Sequence, residues 1–85
     1  ECVPHAWGSV VGLAATLHFV ASIPDQPPSL FPFPPLLEFE QCENPFRDSL
    51  GIESIRQVRG HVNVPVTPGL GVEIDRKTLD KYRVG

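Results

Sequence analysis

The sequence places two kinds of proton-handling side chain where a fold could hold them. His5 follows Pro4 directly and precedes a long apolar run of mostly small residues, AWGSVVGLAATLHF. Imidazole ordinarily titrates near neutral pH, so a histidine fixed at the end of a rigid element can serve as a general acid or base. The same residue could instead pack or cap at the start of a helix. Further along, LLEFE carries Glu38 and Glu40, which in an extended strand lie on one face because side chains alternate. Whether an imidazole and a carboxyl group act together depends on the elements that carry them.

Those elements follow from spacing and punctuation. Val10, Leu13, Ala14, Leu17 and Val20 or Ala21 recur at helical intervals. Gly8 and Ser9 can start the helix, and Pro24 ends it, because proline disfavours helical geometry in the residue before it. Glu1 to Pro4 reads as a short strand before this helix, and Leu36 to Glu40 as a second strand after it. Strand, helix, strand is a βαβ unit with parallel neighbouring strands and a right-handed crossover. Function gathers at the carboxyl ends of strands in such units, where His5 and Glu38 or Glu40 would sit. Two such strands leave edges and a helix face that need further strands and helices to cover them.

Beyond Cys42 the character changes. NPFRDSLG suggests a turn or short helix, and IRQVRGHVNVPV alternates around Arg59-Gly60, which predicts a β-hairpin. PGLG gives another turn at Pro68 to Gly71, and Asp75 is a suitable N-cap for a final helix to about Tyr82. The proline-rich PDQPPSLFPFPP contains minimal polyproline-ligand patterns, but it reads better as an inter-element loop beside the strand ends.

Composition narrows the function classes. With 85 residues and a formal charge of −3, the chain allows one domain at most and lacks the clustered Lys and Arg that phosphate binding requires. Arg76, Lys77, Lys81 and Arg83 alternate with Asp75 and Asp80, which suits a solvated helix face rather than a nucleic-acid surface. The apolar stretch is broken by Ser9, Thr16, His18 and Ser22 and is too short and polar for a membrane span. Cys2 and Cys42 have no metal-ligand spacing and are expected to be reduced, buried thiols. Within its helix His18 has no histidine one turn away and reads as structural, whereas His61, after a turn glycine, reads as exposed. The absence of Met and the start at Glu1 suggest a piece of a longer protein, expected in the cytoplasm.

Three stretches, VPHAWGSVVGLAATLHFVASIP, PLLEFEQCENPFRDSL and VRGHVNVPVTPGLGVEIDRKTLDKY, in this order and spacing, resemble the C-terminus of the mandelate racemase branch of the enolase superfamily. The resemblance implies an α/β fold, strands 7 and 8 of a (β/α)7β modified TIM barrel, over residues 1–51. Residues 52–85 would form a tail returning to the capping domain. It further implies a Mg2+-dependent enzyme that removes the proton alpha to a carboxylate, giving an enediolate.

His5 then corresponds to the strand 7 base and Glu38 to the strand 8 carboxyl that hydrogen-bonds the substrate carboxylate, a role that requires its protonated form in a low-dielectric barrel mouth. Glu40 is the rival for that role. Trp7 is a candidate for the pocket wall, with simple packing as its alternative. The metal ligands and the aspartate that orients the histidine would lie outside this chain. The substrate implied is a sugar acid and the product of a dehydratase a 2-keto-3-deoxy acid; a racemase or epimerase of a 2-hydroxy acid is the alternative, and the complete enzyme would be a homo-oligomer. A different class of reading is a non-enzymatic fragment that depends on a partner chain. On either view the 85 residues alone should show no turnover.

Overall fold

The computed structural model describes residues 3–24 and 35–84. The proline-rich loop over 25–34 and the first two residues of the expected first strand, with Cys2, lie outside them. Five elements follow in order: α1 (Val10–Ser22), α2 (Pro45–Asp48), β1 (Gln57–Val58), β2 (His61–Val62) and α3 (Arg76–Lys81).

Helix α1 forms where the apolar period predicts it, and its ends are set by two residues. Ser9 is the N-cap, its hydroxyl accepting from the Val11 N–H at 3.2 Å, which satisfies one of the donors a helix leaves unpaired at its start. At the other end Ile23 leaves helical geometry just before Pro24. The buried face is Val10, Leu13, Ala14, Leu17 and Val20; Ala21 is exposed. Leu50 and Ile55 complete the buried cluster, and Leu37, Phe39, Val62, Val64, Val72 and Ile74 pack against it. The opposite side of α1 is also apolar, with Val11, Ala15 and Phe19 exposed one turn apart.

Residues after α2 return to the same core. Gly51 bridges Ile74 in antiparallel sense. The Ile52 N–H donates to the Glu73 carbonyl at 2.8 Å and the Asp75 N–H to the Leu50 carbonyl at 2.7 Å. The hairpin pairs Gln57 with Val62 and Val58 with His61. Arg59 and Gly60 at its tip both have positive φ, 53° and 77°, the handedness that matches strand twist in a two-residue loop. Asp75 caps α3 by accepting from the Lys77 N–H and the Thr78 hydroxyl. The Tyr82 ring closes α3 against Phe46 of α2, with centroids 5.1 Å apart.

Two expectations need correction. Leu36 to Glu40 is extended but forms no strand ladder, and neither do the described residues before α1. The two segments meet through one backbone hydrogen bond, from the Glu38 N–H to the Pro4 carbonyl at 3.4 Å. A ladder fails because Pro4 and Pro35 supply no N–H, and an isolated pair of short strands is marginal without neighbours. Cys42 is free and exposed rather than buried; it follows the extended segment at a bend, where its carbonyl, not its sulfur, faces inward.

One close approach makes a testable demand on the sequence. Gly71 has φ +80° and a Cβ there would collide with the Pro65 ring, whereas Gly69, at φ +70°, has open space around it. Gly69→Ala is expected to cost about 1 kcal/mol for left-handed geometry alone. Gly71→Ala should cost about 1–3 kcal/mol more, from overpacking. Urea denaturation of the two variants checks this, and equal midpoints would contradict it.

Candidate active site

The segment before α1 and the segment before α2 run side by side, and the side-chain contacts between them keep a constant offset. His5 Nδ1 lies 2.5 Å from Glu38 Oε2, a separation of 33 residues in sequence. The Trp7 indole N–H donates to Glu40 Oε1 at 2.7 Å, also 33 residues apart. Equal offsets at positions advancing together mean the two segments run parallel. The imidazole and the Glu38 carboxyl group thus emerge side by side at one rim, although no ladder forms among the described residues.

The same pairs distinguish the two glutamates. Glu38 faces His5, and both side chains are open, 60% and 68% exposed respectively. Glu40 is turned inward, its side chain only 16% exposed. The low-dielectric surroundings expected around Glu38 are therefore not supplied by the described residues. The contact holds the His5 ring by its Nδ1 edge against Glu38 and so fixes its orientation. Trp7 is 73% exposed, so its ring is not buried in the core. His18 bridges elements instead of lining this rim: its Nε2 sits 2.9 Å from the Leu70 carbonyl, tying α1 to the 68–71 turn.

Behind the rim lies a polar network that spacing alone does not reveal. Arg47, in α2, is buried. Its Nη1 donates to the Glu40 carbonyl at 2.7 Å and its Nη2 to the Cys42 carbonyl at 2.7 Å. Nε and Nη2 form a fork on the Asp48 carboxylate, both at 2.9 Å, and Nη1 also approaches Glu40 Oε2 at 3.5 Å. Every one of the guanidinium's N–H donors has a partner. Asn44 works on both sides of this group. Its Oδ1 caps α2 by accepting from the Phe46 and Arg47 N–H groups; its Nδ2 donates to the Gly8 carbonyl at 2.8 Å and to Glu40 Oε2 at 3.4 Å. The Asn-Pro pair at 44–45 is a recognisable helix start, but nothing in the local pattern marks Arg47 as buried. A small cleft beside the network is lined by Ala6, Gly8, Ser9, Leu13, Phe39, Glu40 and Arg47.

Among the described residues no group of three or more His, Cys, Asp or Glu side chains converges as a metal ion would need. These residues do not by themselves fit a Mg2+ site. Nor is any helix among them long and apolar enough to cross a membrane.

Residues 1–78 match the family described as "Enolase C-terminal domain-like". The chain belongs to this family. The enolase-like chain is also 42% identical over 82 residues to a D-galactarolactone cycloisomerase of Agrobacterium fabrum (strain C58). The match takes in 96% of this chain and 22% of that enzyme's length, so the chain spans about a fifth of the relative. The superfamily resemblance visible in the sequence is thus borne out.

Arg47 gives the enolase-like rim a measurable dependence. Removing it by Arg47→Ala leaves Glu40 half-enclosed without its counter-charge, and a loss of about 3–5 kcal/mol is expected in denaturant titration. The hydrogen bond from Arg47 holds the Asp48 carboxyl below the usual carboxylate range, against the opposing effect of burial. A lowered folded-state value contributes stability above the ordinary carboxylate range and loses it as pH falls through the folded value. Stability should therefore decline below about pH 4, modestly, because Asp48 is 43% exposed and solvent screens the pair. In Arg47→Met this component of the acid dependence should vanish; an unchanged slope in that window would count against it.

Proposed function

We propose that this chain is the part of an enolase-superfamily enzyme that supplies a proton-transfer base, His5, and an electrophilic carboxyl, Glu38, for removal of the proton alpha to a carboxylate. The observation that carries the reading is the His5–Glu38 contact at 2.5 Å on segments held parallel by equal offsets. A carbon acid next to a carboxylate is very weak, so its deprotonation needs a base working near neutrality and a group that meets the developing negative charge. The two side chains touch each other and both open to solvent, so a ligand reaching that exposed rim meets base and carboxyl together.

On this reading residues 1–51 belong to strands 7 and 8 of a modified TIM barrel, and 52–85 return toward a capping domain. Mg2+ chemistry is what the superfamily implies, and its ligands would come from outside the described residues. The proposed outcome is dehydration of a sugar acid to a 2-keto-3-deoxy acid, with His5 positioned to return a proton to a departing 3-hydroxyl. The similarity to a D-galactarolactone cycloisomerase favours a second outcome, in which the same proton removal starts the isomerisation of a sugar-acid lactone. Racemisation is the remaining family alternative. All three begin with one step, and that step is what His5 and Glu38 are proposed to perform.

The test uses the full-length protein in D2O with Mg2+ and D-galactarolactone or a six-carbon sugar acid, following exchange of the alpha proton by NMR. His5→Asn should slow exchange by about 10²–10⁴-fold while Mg2+ binding, measured by calorimetry, is unchanged. Glu38→Gln should slow it by about 10²-fold. Exchange at the parent rate in His5→Asn would remove the histidine from the mechanism.

A further inference from the structure

The contact between Trp7 and Glu40 has a shape that packing does not explain. The indole is 73% exposed, yet its one polar atom is fixed at 2.7 Å to an inward carboxylate. That carboxylate is itself held, its second oxygen facing Arg47 Nη1 at 3.5 Å and Asn44 Nδ2 at 3.4 Å. A side chain placed for burial would lose its ring from solvent. Here the ring stays outside and only its edge is anchored.

The anchoring also fixes direction. Trp7 is two residues from His5, and Glu40 is two residues from Glu38, so the Trp7–Glu40 pair repeats the His5–Glu38 pair one step along the same parallel segments. Asn44 pins the backbone on the other side of Trp7 through the Gly8 carbonyl at 2.8 Å. An indole has two side-chain torsions; the hydrogen bond at its edge restricts both, which lowers the entropy lost when a ligand packs on its face. An anchored, outward aromatic face next to a base and a carboxyl suits a ligand with a carboxylate at one end and a run of C–H groups behind it.

We propose that Glu40 is a positioning residue that fixes the Trp7 indole as a wall of the substrate site, and that Trp7 sets specificity by packing on the C–H face of a polyhydroxylated carboxylate or its lactone. The proposal rests on the function proposed above. It also gives the two glutamates different roles. Glu38 meets the reacting end of the substrate, whereas Glu40 never touches it but holds the residue that does. In Glu40 the charge is used toward Arg47, and the remaining oxygen toward the indole.

The experiment has two independent readouts on the full-length protein. The first is the Trp7 indole N–H resonance in a 1H–15N spectrum, assigned by its disappearance in Trp7→Phe. Glu40→Ala should shift it and speed its exchange with solvent; an unchanged resonance overturns the positioning role, whatever reaction the enzyme performs. The second is KM against kcat in the alpha-proton exchange assay. Trp7→Phe and Glu40→Ala should each raise KM about tenfold, with kcat held within about threefold. The double variant should be no worse than about twofold beyond the poorer single variant, because the two substitutions remove one coupled contact.

Additive losses of about a hundredfold in the double variant, or a fall in kcat with KM unchanged, overturn the proposal. Should Glu40→Ala fail to fold, Trp7→Phe and Trp7→Ala leave the Arg47 network intact and carry the same test: a KM at the parent value in both overturns the wall. Glu40→Gln, which keeps an acceptor oxygen, should recover part of the KM lost in Glu40→Ala. Failure of the proton-transfer reading shows separately, as undiminished exchange in His5→Asn.

Discussion

A guanidinium removed from water has to place its N–H groups on acceptors inside the protein, and Arg47 does so by gathering two backbone carbonyls, one carboxylate fork and the edge of a second carboxylate. The carbonyls belong to Glu40 and Cys42, so the end of the extended segment 36–42 cannot drift without orphaning a buried charge. Through Asn44 the same cluster reaches across to Gly8 at the start of α1. The parallel run of the two segments, and with it the meeting of His5 and Glu38, therefore depends less on a strand ladder than on the Asn44–Gly8 and Trp7–Glu40 hydrogen bonds, whose partners on one side Arg47 holds in place.

This explains why the segments stay in register although, among the described residues, only one backbone hydrogen bond joins them. A hydrophobic contact could slide by a residue at little cost. Directional contacts from Asn44 to Gly8 and from Trp7 to Glu40 cannot, because a slip of one residue would send both glutamates to the opposite face. The hydrophobic side of the construction is α1, whose buried stripe brings Leu37 and Phe39 under the same roof as Val62, Val64, Val72 and Ile74. Apolar burial brings the segments near one another and the polar network chooses their alignment.

How much of this is legible in the sequence divides along the same line. Helix α1, the Arg59-Gly60 hairpin, the Pro68 to Gly71 turn and the Asp75 cap are all readable, because each is announced by periodicity or by a residue with a local backbone preference. The pairing of His5 with a glutamate is legible as a strand-end juxtaposition. Which glutamate faces it stays open between Glu38 and Glu40, since both share a face; the choice goes with Glu40 being held by Asn44 and Arg47, four and seven residues on, contacts that leave no hydrophobic period. The sequence overstates the strands: alternation and composition report a tendency to be extended, while a ladder needs donors that Pro4 and Pro35 lack. Cys42 misleads for a related reason, since the usual burial of cysteine says nothing about a bend where only the main chain turns inward.

Helix α1 offers oily side chains on two sides, one sealed by the core and the other, Val11, Ala15 and Phe19, wetted. The wetted side adds nothing to the internal cohesion of these residues, yet every methyl on it raises the free energy of the chain in water. Anything that covered this outer flank would take those methyl groups out of water without touching the contact between His5 and Glu38.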